Sequence, residues 1–444
     1  MNRKILFLLY VFFVYFVCSC YSNSLPIENP IENNQYFWTL EDTALVRFAV
    51  LSDTHIADST WNTAAEHRFA RALNIFKEID PNIDMVGIIG DIVGQGTISE
   101  YDKLMNILDN NKVSESTKII MSMGNHEYFH NPVNAKAVFT SKTGQEPNTH
   151  EVIKGIHFIF ISPDRPWNYR NYMSSLPWLE EKLQEAQRDY DKNNIPHYPI
   201  FVFAHHGLRT KVNGRGQMDN EDIFYNIMKL YPNIIFFSGH SHHPLNDPRF
   251  INFVDFTSIE TASTSHIILN ESDKGRIEDG LHFGQALVID VNTDGSVVVR
   301  RVDVHNERYI GKALVIDPND LQKFSYENQT AKANAPVFPT DATVMVDNIS
   351  TFSASISFTQ ANAGSLEEIV YNYIMEIKDM VNDMVVKNYN MWSDFYFYPH
   401  KPSLSIELKE LNYTTQYHVT VTAYEPFGKA SEQSISAQFS TLRD

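Results

Sequence analysis

Beyond its first twenty residues this 444-residue chain has no cysteine, because Cys18 and Cys20 are the only two. The body can therefore build no disulfide framework, and any metal site in it must do without thiolates, which excludes the Cys-based zinc class. Cations are scarce as well: 36 Lys and Arg stand against 54 Asp and Glu, a formal net charge of -18. That sign gives no overall help in holding a nucleic-acid backbone and disfavours nucleic acid as the main substrate. With 18 Gly and 19 Pro the chain is not collagen-like or low in complexity. Nor is there a comfortable bilayer-spanning run, since the apolar stretch Ile5 to Val17 is too short and is interrupted by Tyr10 and Tyr15. What remains is a globular composition, 43% hydrophobic and 20% charged, long enough for one large domain and a smaller one.

The N-terminus reads as a targeting segment. Arg3 and Lys4 precede the apolar run and polar residues follow it at once, the layout of a secretory signal. Val17-Cys18-Ser19-Cys20 is similar to a bacterial lipoprotein box. That resemblance implies a signal over residues 1–19, acylation of Cys20 and an exported, membrane-tethered protein of the periplasm or cell surface. Residues 20–43, with scattered Ser, Asn and Pro, read as a spacer.

From residue 44 to 313 short apolar runs alternate with amphipathic stretches. Strands are expected at Ala44 to Leu51, Met85 to Ile89, Lys118 to Met121, Gly155 to Ser162, Ile200 to Ala204 and Ile234 to Ser238. Helices are expected at Ala64 to Glu78, Glu100 to Leu108, Leu176 to Arg188 and Glu221 to Leu230. Strands alternating with helices argue an α/β layered fold. Further strands at Ser265 to Leu269, Phe283 to Val291 and Ser296 to Val304 favour a two-sheet sandwich flanked by helices over a doubly wound sheet. Residues 314–333 read as a linker and 334–444 as a separate all-β unit.

Chemistry gathers just after the expected strands. Asp53-Thr54-His55, Gly90-Asp91, Gly124-Asn125-His126-Glu127, His205-His206 and Gly239-His240-Ser241-His242-His243 each follow an apolar run. Side chains at the carboxyl ends of sheet strands converge in space even when far apart in sequence. Two carboxylates, an amide oxygen and several imidazoles suit hard-to-borderline divalent ions. Taken alone, Asp53 or Asp91 reads as readily as a turn residue or cap; the ordered set of five carries the signal.

That set resembles the calcineurin-like metallophosphoesterase superfamily, which includes purple acid phosphatases and cyclic-nucleotide phosphodiesterases. The resemblance implies a four-layer α/β/β/α sandwich and two divalent metal ions (Mn, Fe, Zn or Mg). It implies Asp53, His55 and His242 at the first ion, Asn125, His205 and His240 at the second, and Asp91 between them. It also implies direct attack of metal-held hydroxide on the phosphorus of a small phosphorylated substrate, with Asn125 and His126 contacting the phosphate and His126 protonating the leaving group. Gly94 occupies the position where purple acid phosphatases carry an iron-binding tyrosine, which speaks against a purple ferric site. His206 and His243 read as imidazoles beside ligands, and Glu127 as a residue that orients His126 or caps the following segment. Arg165 and Arg170, between Asp164 and Tyr172, suit a substrate rim, and Arg209, Lys211 and Arg215 could do similar work.

In the C-terminal unit Tyr417, Val419, Val421 and Ala423 share one face at period two, and Leu411 precedes them. This resembles the tyrosine-corner strand of a fibronectin type III module, with a hairpin at Pro426-Phe427-Gly428 and a last strand at Ser436 to Phe439. Tyr371 to Phe397 is long for such a module. Two other functions stay open at this stage: a cell-surface binding protein that uses this unit, and a metal-dependent nuclease. The sequence leaves the oligomeric state undetermined.

Overall fold

The computed structural model describes residues 44–59, 64–164, 170–209, 212, 216–277, 279–365 and 368–443. The expected signal, spacer and lipid-anchor residue Cys20 lie outside these, as do Arg165, Lys211 and Arg215. No described helix is long and apolar enough to cross a membrane.

The first domain is built on two sheets. In one, β1 (Ala44–Ser52), β2 (Met85–Ile89) and β3 (Lys118–Ser122) run parallel. In the other, β4 (Thr149–Ile153) pairs antiparallel with β5 (Ile156–Ile161), and β5, β6 (Ile200–Ala204) and β7 (Ile234–Ser238) run parallel. β8 (Ile251–Phe253) and β9 (Thr257–Glu260) complete the order β4-β5-β6-β7-β9-β8. A small hairpin, β10 (Asn270–Glu271) with β11 (Gly275–Arg276), then leads to β12 (Gln285–Asn292) and β13 (Val297–Asp303), which extend the first sheet beyond β1. β14 (Arg308–Tyr309) and β15 (Leu314–Ile316) both pair with β13.

Why two sheets form is visible in the alternation along β5. Phe158 and Phe160 enter a core shared with Phe48, Phe203 and Phe237 from both sheets, whereas Ile159 and Ile161 face the helices. The rings pack edge-to-face or stacked, with Phe48 4.9 Å from Phe201 and Phe160 4.1 Å from Phe203. On the outer face of the second sheet, helix Leu176–Asn193 lays down Leu179, Leu183, Ala186 and Tyr190, and helix Glu221–Met228 adds Phe224 and Met228. Helix Ile98–Asn110 starts at a capping box, in which Thr97 and Glu100 satisfy each other's backbone N–H groups. The result is the α/β/β/α sandwich expected, followed by an all-β domain.

Two local expectations differ. Ser265 to Leu269 forms no ladder strand, because its alternating Ile267 and Leu269 answer to a hydrophobic cluster shared with the second domain. Helix Ala135–Thr143 and strand β4 escaped the reading, since the helix buries only Ala135 and Phe139 and the strand only Ile153. The segment read as a linker carries β15 and helix Tyr326–Lys332.

The second domain packs one sheet of β16 (Val344–Asp347), β17 (Ala354–Thr359) and β20 (Ser403–Leu408) with another of β18 (Asn372–Asp379), β19 (Met384–Trp392), β21 (Gln416–Tyr424) and β22 (Ile435–Ser440). Tyr417, Val419, Val421 and Ala423 are buried, and the Tyr417 hydroxyl accepts the Asn412 N–H at 2.8 Å, closing the expected tyrosine corner.

Candidate metal centre

β1, β2 and β3 of one sheet and β6 and β7 of the other end at the same edge of the sandwich, and each delivers its motif there. Asp53 and His55 follow β1, Asp91 follows β2, Asn125 and His126 follow β3, His205 and His206 follow β6, and His240 and His242 follow β7. The loops are tied by backbone bonds, Asp53 N–H to Gly90 O, His55 N–H to Asp91 O and Gly239 N–H to His205 O, all 2.9–3.1 Å. Crowding sets the glycines: a Cβ on Gly90, whose φ is +65°, would meet the His205 Cβ at 2.6 Å. Asp53, His55, Asp91, His240 and His242 themselves adopt positive φ, a backbone that costs about 1–3 kcal/mol each and persists only where the surroundings dictate it.

The structure brings seven of the eight expected ligand and catalytic side chains together, with His206 beside them. Four groups, each with its ligand atoms within 4.8 Å of one another, are Asp53 with His55 and His242, Asp53 with Asp91 and His205, His55 with Asp91 and His126, and His205 with His206 and His240. Both carboxylates thus belong to two groups. The eighth, Asn125, is buried with an Oδ1 that accepts no hydrogen bond.

Proton placement decides what this cluster can hold. His205 Nδ1 lies 3.1 Å from Ile89 O and His242 Nδ1 lies 3.0 Å from His266 O. A carbonyl only accepts, so both Nδ1 atoms carry the proton and a neutral ring presents a lone pair at Nε2. Those lone pairs face carboxylate oxygens, His205 Nε2 at 3.0 Å from Asp91 Oδ2 and His242 Nε2 at 3.1 Å from Asp53 Oδ1. Likewise Nε2 of His55 sits 3.2 Å from Nε2 of His242, and Nδ1 of His240 3.2 Å from Nε2 of His205. At the two carboxylate contacts acceptor faces acceptor, which requires a cation between them, either a proton or a metal ion, whereas in the two imidazole pairs one neutral ring can donate to the other. With protons alone, burial lowers the His205 pKa but Asp91 and Asp53 push it up to about 10. Burial raises the Asp53 and Asp91 carboxyls, yet neighbouring imidazoles, His242 and His205 foremost, hold both well below the usual range. Asn125 Oδ1 and His206 Nε2 have no hydrogen-bond partner among the described residues, and Asp53 Oδ1 meets only the imidazole nitrogens that face it. This donor set of oxygens and imidazoles fits divalent cations.

His126 is placed differently. Its Nδ1 donates to Gly94 O at 2.7 Å, its backbone N–H donates to Asp91 Oδ1 at 2.8 Å, and Nε2 stands 3.8 Å from Asp91 Oδ2. Its side chain is 27% exposed where those of Asp53, His55, His205 and His242 are 6% or less, so it borders the opening. Arg170 is exposed, 3.9 Å from Asp219, and near enough to His206 to act on it electrostatically. His206 is buried, with Nδ1 2.9 Å from the Tyr172 hydroxyl. His243 is buried against Asp247 at 2.9 Å.

Behind this layer stand residues that the sequence misassigned or did not mark. Glu127 bonds neither the His126 ring nor the next segment. Its carboxylate accepts N–H groups from Gly124, Asp91 and Val93, and burial together with Asp91 raises its pKa to about 8. Glu260, at the end of β9, accepts from Ser238 and Ser241, and burial pushes it up to about 8. No motif marks Glu260 or His266, because their partners are gathered only by folding.

Residues 46–244 match the calcineurin-like phosphoesterase family, and an all-β domain follows the matched region. Among solved structures it is similar to GAP50, the anchor in the inner membrane complex of Plasmodium, at 15% identity over 63% of this chain and 93% of that one (TM-score 0.40). It is similar to the purple acid phosphatase PPD1 of yellow lupin at 12% identity over 61% of this chain and 53% of that one (TM-score 0.43). A third similarity, to the fn3 domain of the human collagen alpha-1(XX) chain, has 18% identity over 26% of this chain and 90% of that one (TM-score 0.19). No curated protein matches.

Proposed function

We propose that this protein is a phosphate-ester hydrolase that works with two divalent cations. The observation that carries the reading is the pair of lone-pair contacts, His205 Nε2 to Asp91 Oδ2 and His242 Nε2 to Asp53 Oδ1, in a pocket of otherwise unpartnered oxygens. Asp53, His55 and His242 would hold one cation, Asn125, His205 and His240 the other, and Asp91 would reach both. Two such cations supply an acidified water and neutralise charge on the phosphate oxygens. The chain's own residues then do three things. Asp53 and Asp91, held by backbone N–H groups of His240 and His126, keep their free oxygens aimed inward. Buried imidazoles fix the geometry through their Nδ1 bonds to carbonyls. His126, anchored at Gly94, presents Nε2 on the exposed side, where as the imidazolium it would contact the phosphate and pass its Nε2 proton to the departing oxygen. The acylated Cys20, export to the cell surface and substrate contacts from Arg165 and Arg170 belong to the same proposal.

The test is turnover of a monoester, a diester and a pyrophosphate side by side by the manganese-loaded full chain. Hydrolysis of at least one, lost on chelation, supports the reading. A chain carrying two ions that cleaves none of the three sinks it.

A further inference from the structure

The second domain is docked, and the docking leads to one half of the metal centre. The segment after β9 runs back past the site: His266 O accepts from His242 Nδ1, and Ile268 N–H donates to His242 O at 2.9 Å. The same segment then enters the domain interface, where Ile267, Leu269 and Phe283 share a hydrophobic cluster with Tyr371, Trp392 and Tyr396. Polar bonds lock the hairpin that follows. Trp392 Nε1 donates to Gly275 O at 3.0 Å, Asn390 Nδ2 donates to Asp273 Oδ2 at 2.6 Å, and the Tyr371 hydroxyl donates to Glu271.

A second route starts from the same ring. The Arg249 guanidinium lies 4.4 Å from the Tyr371 ring centre and grips Asp247, whose Oδ2 pairs with His243 Nε2 at 2.9 Å. Tyr371 is thus the crossing of two paths that end at His242 and at its neighbour His243, and not at His240, whose backbone N–H is tied to Asp53 Oδ2. The rest of the centre is held otherwise: His205 by Ile89 O, Asp91 by Glu127 and His126 N–H, and Asn125 by the turn after β3.

We infer that Tyr371 and Trp392 are positioning residues for His242, so that the second domain fixes the half of the centre formed by Asp53, His55 and His242. The inference rests on the two-cation reading and adds to it which half depends on the second domain. A polar partner behind a metal ligand is worth about 10–100-fold in metal affinity. The experiment is titration of the full metal-free chain with cobalt(II), followed by calorimetry and visible absorption. Tyr371→Leu removes both routes and should weaken one ion at least tenfold while the other stays within twofold. Tyr371→Phe keeps the ring over Arg249 and loses the bond to Glu271, so it should show the same selective loss, smaller. Val381→Ser, on the exposed turn between β18 and β19, should change neither ion. Two unchanged affinities in Tyr371→Leu, or equal weakening of both, overturn the inference. If Tyr371→Leu does not fold, wild-type affinity in Tyr371→Phe overturns it. A wild-type chain that binds fewer than two cobalt ions overturns the two-cation reading instead, an outcome visible before any variant is made.

Discussion

The two domains carry backbone strain in different places. In the second domain the non-glycine residues at positive φ include Asn348, Asp383, Glu410 and Thr414, all exposed and all in turns. The first domain has such exposed residues too, Lys154, Asn194, Asn220 and Glu307, but it adds Asp53, His55, Asp91, His242 and Ala262 buried at positive φ, with His240 partly so, all at one end of the sandwich. A turn residue in that region is a local solution to reversing the chain. A cluster of buried ones is over-determined by its surroundings and marks a place where side chains are aimed. Strain therefore points to the site independently of any ligand motif.

The sharpest way to break that comparison is Asp91→Asn. Asn tolerates the left-handed backbone as Asp does, so the strain stays while the charge goes. Turnover should fall to background and metal content below two ions per chain, whereas the melting temperature of the metal-free protein should move far less. Wild-type turnover in this variant would detach the strained cluster from function.

Core deletions come next. Phe203 stacks on Phe160 and Phe237 and lies two residues before His205, so Phe203→Ala should cost about 3–5 kcal/mol of stability. It should also weaken cobalt binding, because β6 carries His205. Ile377→Ala, equally buried in the second domain, should cost about 2–5 kcal/mol yet spare the half of the centre built on Asn125 and His205. Denaturant melts and cobalt titrations of both variants test the contrast; equal effects on metal would remove it.

Asp247→Asn probes the seam between the domains. Burial would raise the Asp247 carboxyl, but Arg249 and then His243 overcome it and hold it far below its ordinary 3.8. A carboxyl depressed in the folded state adds stability above its unfolded pKa and loses it as pH falls from there towards the folded value. The variant should therefore be less stable at pH 7, by about 3–5 kcal/mol if Arg249 is left buried and unpaired. That deficit should shrink steadily below about pH 4, as the wild type pays a growing proton-linked penalty. A deficit that stays constant down to pH 3 would contradict the assigned pairing.

Much of the site was legible because metal-binding side chains are chemically rare combinations and because strands ending in a polar motif converge. β2, β6 and β7 fall where the apolar runs lie, since buried parallel strands read as continuous hydrophobic stretches. The layer behind was illegible for the opposite reason. Glu127 sits in a visible motif, but two of its three N–H partners come from the Asp91 loop, and nothing adjacent in sequence announces the role of Glu260. Ile267 and Leu269 alternate as a strand does, but the surface they meet belongs to Tyr371, Trp392 and Tyr396, more than a hundred residues later. The aromatic length of Tyr371 to Phe397, odd for a free-standing β-module, is explained by that docking.

The smallest effect tests the strain argument itself. Thr414 is β-branched, exposed and at φ +50° in the second domain. Glycine there relieves about 1–2 kcal/mol of steric cost and returns about 0.5–1 kcal/mol in unfolded-chain entropy, so Thr414→Gly should raise stability slightly and leave turnover alone. Ala262, buried at φ +57°, is the matched position beside the site. The Ser52 hydroxyl lies 2.8 Å from its carbonyl and 2.6 Å from Asp53 Oδ2, and its one proton is shared between the two acceptors. Glycine at Ala262 relieves similar strain but loses a buried methyl worth about 0.8 kcal/mol and loosens that hydroxyl's anchor. Stability should hardly change while turnover drops several-fold. If Ala262→Gly behaves like Thr414→Gly in both thermal melts and turnover, the strain at the sandwich edge is as incidental as the strain in the turns.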